Sequence, residues 1–74
     1  MQKPTINRSV HYQAYGTPNG EHPSVPRAAI ITEVTDETKG IVSLAVFNPT
    51  GLFFNCNVEY SETPKPGCWN WPPR

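Results

Sequence analysis

The stretch "IVSLAVFNPTGLFFNCNVEY", residues 41–60, decides how this chain folds. It reads as strand, turn, strand. Its first half is the most apolar run of the sequence. Val42, Leu44 and Val46 alternate there with Ile41, Ser43, Ala45 and Phe47, and a period of two belongs to a strand. Asn48-Pro49-Thr50-Gly51 then fits a type I β-turn, with asparagine first, proline second at its fixed φ, and glycine fourth. The second half alternates strictly. Leu52, Phe54, Cys56, Val58 and Tyr60 are expected to face the core, where the Cys56 thiol is inert filler. Phe53, Asn55, Asn57 and Glu59 point the other way, toward solvent, a subunit interface or a site.

Working outward, residues 36–40, "DETKG", form a polar turn closing on glycine. Before it, residues 27–35, "RAAIITEVT", carry isoleucine on both faces, as a central strand does. Residues 10–15, "VHYQAY", alternate Val10, Tyr12 and Ala14 against His11, Gln13 and Tyr15. Two proline-rich loops are expected, at residues 16–26 and 61–67, the first long enough to be functional. Residues 1–8 lack periodicity and are expected to be flexible. The end, "CWNWPPR", puts Trp69 and Trp71 on one side if extended, and its final prolines prevent helix.

Nine prolines in 74 residues rule out a helical bundle, since each removes a donor and clashes inside a helix. The expected fold is a single all-β domain over residues 1–74. It is a small antiparallel sheet, or an SH3- or OB-like barrel, of four to five strands. A chain this short buries only ~60% of its unfolded surface. Self-association is therefore expected to complete the fold, with Phe53, Asn57 and Phe47 at the interface between copies and a symmetric dimer as the default.

Six Lys and Arg balance six Asp and Glu, so neither duplex nucleic acid nor an anionic membrane is expected as a partner. The histidines and cysteines lack the close spacing of a zinc site, and no metal or cofactor is expected. Cys56 and Cys68 are expected as thiols in a reducing cytoplasm, free to pair outside it. No pair of carboxylates sits in an apolar run and no glycine loop of the phosphate-cradling type occurs, so enzyme activity is not expected. Binding is left. Trp69 and Trp71 either lid the small core or offer a stacking surface to a base. Asn48 and Asn55 suit a base edge, and Arg27 and His11 suit phosphate. Tyr15 and the loop after it are placed to close over a ligand.

Four blocks carry a family resemblance: "VHYQAYGTP" at 10–18, "PSVPRAAIITEV" at 23–34, "SLAVFNPTGLFFN" at 43–55 and "PGCWNWP" at 66–72. Together they resemble short uncharacterised proteins of actinobacteria and their phages. That family has a cysteine where this chain has Pro26, and a Thr-Trp-His-Trp-Pro-Glu run where this chain has Cys68-Trp69-Asn70-Trp71-Pro72-Pro73. The resemblance implies a phage or prophage setting, hence the cytoplasm of an infected bacterium. The function expected is a non-enzymatic accessory protein, an anti-defence sponge that sequesters a nucleotide immune signal such as a cyclic nucleotide or an ADP-ribose derivative. The alternative is a virion- or tail-associated structural module, or an inhibitor of a host protein.

Overall fold

The computed structural model describes residues 3–16, 24–49 and 51–72. Five strands form: β1 (Ser9–Gln13), β2 (Pro26–Asp36), β3 (Ile41–Asn48), β4 (Gly51–Val58) and β5 (Trp69–Asn70). They make one antiparallel sheet in the order β4-β3-β2-β1-β5, open rather than closed into a barrel. No helix occurs among the described residues. The all-β expectation holds in its sheet form, and β2 is an interior strand as its two-sided isoleucines imply.

Directly opposed residues of an antiparallel pair share a face. The register Val10↔Ala29↔Val46↔Phe53 and Ile31↔Leu44↔Asn55 therefore defines one side of the sheet. Val10, Ala29, Ile31, Leu44 and Val46 of that side are buried, with Val42, Val58 and Trp69 completing the core. Each of the larger side chains buried there contributes roughly 1.5–3 kcal/mol. The sheet must curl to enclose them. Trp69, at one end of the strand order, donates its indole Nε1–H to Gly40 O in the β2–β3 turn at 2.8 Å.

Three irregularities shape the sheet. On β2 an extra residue sits between Ile31 and Glu33, and another between Val34 and Asp36. Both extras are threonines whose hydroxyls rejoin the ladder: Thr32 Oγ1 donates to Ser43 O at 3.1 Å and Thr35 Oγ1 to Ile41 O at 3.0 Å. On β4, Asn55 opposes Leu44 and Val58 opposes Val42, so two residues of β4 stand against Ser43 alone. This is a β-bulge, and Asn57 takes φ 53° in it. Asparagine is one of the few side chains that tolerates this left-handed conformation.

The bulge overturns the expected faces of β4. Alternation along residues 52–60 put Leu52, Phe54 and Cys56 in the core, but Leu52 is 49% and Phe54 71% exposed, and Cys56 is exposed too. The extra residue shifts the parity of everything before it relative to Val58, which alone of β4 is buried. Phe53 and Asn55 thus lie on the core side, at its open rim. Phe47, opposite Leu52 and Ala28, lies on the other side, so Phe47 and Phe53 do not share a face. Asn57 is accounted for by backbone geometry.

The segments flanking the sheet are fastened to it. Pro4 is fully buried, Asn7 N–H donates to Ile31 O and Ile31 N–H to Arg8 O, so residues 4–8 are tied to β2 rather than loose. Beyond the bulge the chain runs to β5. There Trp69 N–H donates to Glu59 O, Ser61 N–H donates to Trp69 O, and Tyr60 bridges Trp69 in parallel.

Candidate functional site

The side of the sheet away from the core carries His11 and Gln13 from β1, opposite Ala28 and Pro26, and Asn70 from β5 opposite His11. His11, Gln13, Pro26 and Asn70 floor a cavity of about 600 Å3, walled by Trp71 and by Glu62 and Pro64 of the second proline loop. The size lies within the range of small-molecule sites. A second hollow of about 230 Å3 adjoins it at His11 and reaches Phe47.

Gln13 sets the polarity of the large cavity. Its side chain is 8% exposed. Ser24 Oγ donates its only proton to Ala14 O, so it must accept from Gln13 Nε2 at 2.9 Å. That fixes the amide with Oε1 turned away from Ser24. Gln13 Oε1 is a buried acceptor and Trp71 Nε1 a buried donor, and neither has a hydrogen-bond partner among the described residues. A buried polar atom without a partner costs roughly 1–3 kcal/mol. Both atoms are sealed from solvent, so neither is presented to a ligand in the cavity.

Trp71 is itself held firmly. Its ring meets Trp69 edge-on at 5.1 Å, and the Arg8 guanidinium lies 5.1 Å from its centroid. Asn70 Nδ2 donates to Trp71 O at 3.2 Å. Among the described residues no lysine or arginine lines the cavity, and Glu62 does.

Of the residues expected to bind a ligand, only His11 and Trp71 line this cavity. Trp69 is fully buried, packed edge-on against Tyr60 at 4.9 Å, and offers a ligand no surface. Arg27 opposes Tyr12 on the core side. Asn48 closes β3 opposite Gly51 and Asn55 opposes Leu44, two strands away from β1. Tyr15 packs against Gly67, whose missing Cβ would run into its ring and hydroxyl. Most of the loop expected to close with it, residues 17–23, lies outside the described residues, as does Thr50 of the expected β-turn. Sequence reading missed Gln13 and Asn70. The signal was present, since Gln13 alternates in phase with His11, and Asn70 stands between the two tryptophans.

Cys56 and Cys68 are free thiols. Tyr12 has its pKa raised above the ordinary 10.0, chiefly by burial and then by Tyr15 and Cys68. Among the described residues no three His, Cys, Asp or Glu side chains cluster as metal ligands would, and no helix is long and apolar enough to cross a membrane. No protein-family model, curated protein or solved structure matches this chain.

Proposed function

We propose that this protein is a non-enzymatic binding protein that holds the planar heteroaromatic part of a small ligand in the cavity beside Trp71. The observation that carries the reading is the lining itself: an indole, with the amides of Gln13 and Asn70 and the imidazole of His11 around a volume of about 600 Å3. A base ring supplies a π-face for the indole and a hydrogen-bonding edge for the Asn70 amide and the His11 imidazole. With Glu62 and no cation among the described lining residues, the cavity suits the uncharged ring of the ligand rather than its phosphates. Joined to the actinophage-like sequence blocks, the reading takes its sharpest form as an anti-defence sponge. The ligand is then a nucleotide immune signal, a cyclic nucleotide or an ADP-ribose derivative, withdrawn from the host cytoplasm.

The test is retention and release. Purified protein is incubated with such nucleotides, desalted and heat-denatured, and the supernatant is chromatographed. Intact nucleotide at about one per chain is expected, falling at least tenfold with Trp71→Ala. A chemically altered nucleotide would make the protein an enzyme. Release of nothing, together with stoichiometric recovery of the chain in phage particles, would favour the structural module instead.

A further inference from the structure

β4 ends the strand order, so its outer edge has no neighbour among the described strands. Single-chain proteins guard such an edge with lysine, proline, a bulge, an inward charge or a covering segment, and the one bulge of β4 lies beyond Asn55, leaving residues 51–55 without such a guard. The opposite edge of this sheet is guarded: residues 59–61 lie on β5. β4, "GLFFNCNV", has no charge and no proline. It carries Leu52 at 49%, Phe53 at 55% and Phe54 at 71% exposure, on both faces of one strand.

We propose that β4 is a dimerisation strand, and that two copies of this chain pair edge to edge, antiparallel, about a two-fold axis at Phe53. The strand is its own complement in that register. Phe53 meets its counterpart on the core side, Leu52 lies opposite Phe54 of the partner subunit on the other side, and Gly51 lies opposite the partner's Asn55. All three large apolar side chains are matched, with no charge to bury. A register centred one residue later sets Phe53 against an asparagine. The bulge at Asn57 ends the flat segment, and in this register residues 51–55 of the two copies pair.

The area fits a second copy. The three side chains leave roughly 350 Å2 of apolar surface per chain, large enough to mark an interaction site. Edge-to-edge pairing covers part of this surface, since both faces of the strand stay open, and with the strand backbones it makes an interface at the small end of the range. A weak, concentration-dependent dimer is the expected result. The ligand cavity lies on β1, β5 and the start of β2, with β3 between it and this edge, so each copy keeps its own site. The pairing does not rest on ligand binding.

Sedimentation velocity from about 1 to 200 µM tests it, a range bracketing micromolar affinity. The 8.3 kDa chain should run as a dimer at the upper end. Phe53→Lys should weaken association about 100-fold or more while keeping the wild-type circular dichroism, since it alters a half-exposed rim residue. Phe54→Lys should do the same from the other face. Phe47→Lys, on β3 rather than the edge, should leave the dimer within about threefold of wild type, as for a peripheral contact. Amide exchange along residues 51–55 should slow as wild-type concentration rises. A monomer at 200 µM would overturn the proposal. So would a dimer that survives Phe53→Lys, or one lost only with Phe47→Lys, which would mean packing face to face.

Discussion

Replacing Trp69 separates the two tryptophans by what each loses. Trp69 is fully buried, packs on Tyr60 and Trp71, and hydrogen-bonds Gly40 O at the far end of the core. A buried Trp→Ala change typically costs 3–5 kcal/mol. At roughly 0.05–0.15 kcal/mol per residue, a domain this size has about 4–11 kcal/mol in total. Trp69→Ala should therefore remove a third to all of the stability. Trp69→Phe keeps a ring but strands the buried Gly40 carbonyl, about 1–3 kcal/mol, or a Tm lower by roughly 5–20 °C. Trp71→Ala, at a half-buried cavity wall, should cost about 1–2 kcal/mol and leave a folded protein. Thermal and urea unfolding followed by far-ultraviolet circular dichroism give all three values. If Trp69→Phe stays within about 0.5 kcal/mol of wild type, or Trp71→Ala costs more than Trp69→Ala, the division into a core tryptophan and a site tryptophan is refuted.

Tyr12 makes the fold sensitive to alkali. Its folded pKa lies above 10.0, so from pH 10 upward the unfolded chain sheds a proton that the folded one keeps, and stability, complete below that range, falls as pH rises through the folded value. Urea midpoints from pH 8 to 11 should show this fall, and Tyr12→Phe should flatten it. Gly67 holds φ 84° beneath the Tyr15 ring, so Gly67→Ala should destabilise by about 1–3 kcal/mol, read from the same midpoints; a neutral result would contradict the packing. Asn57→Val should cost about 1–2 kcal/mol for its left-handed backbone, whereas Asn57→Gly should be near neutral; equal costs would mean that the asparagine side chain, not φ, matters.

The strands were legible because a half-buried strand has to alternate. "IVSLAVF" and "VHYQAY" show their period of two directly, and Gly40 marks the turn at φ 73°. The site was legible in part, through His11 and Trp71. Its remaining members depend on β5 lying beside β1, a contact between residues 11 and 70 that no local pattern announces. Arg27, Asn48 and Asn55 have the right chemistry for a nucleotide, but the register sends them to other parts of the sheet.

The faces of β4 were illegible for a narrower reason. Counting by twos assumes that no residue is inserted, and one bulge reverses the count. Nothing in "FFNCNVEY" places a bulge, since asparagine is depleted in strands but does not by itself break their alternation, and only the left-handed φ of Asn57 reveals it. The bulge has two consequences that belong together. It keeps Val58 opposite Val42 in the core while a bulged strand bends, and the chain beyond Val58 reaches β5, where Tyr60 packs on Trp69. It also leaves Leu52 and Phe54 outside, and Phe53 at the rim. The turn of chain that covers one edge of the sheet thus bares the other, and the apolar residues left there are the ground for the edge-to-edge pairing we propose.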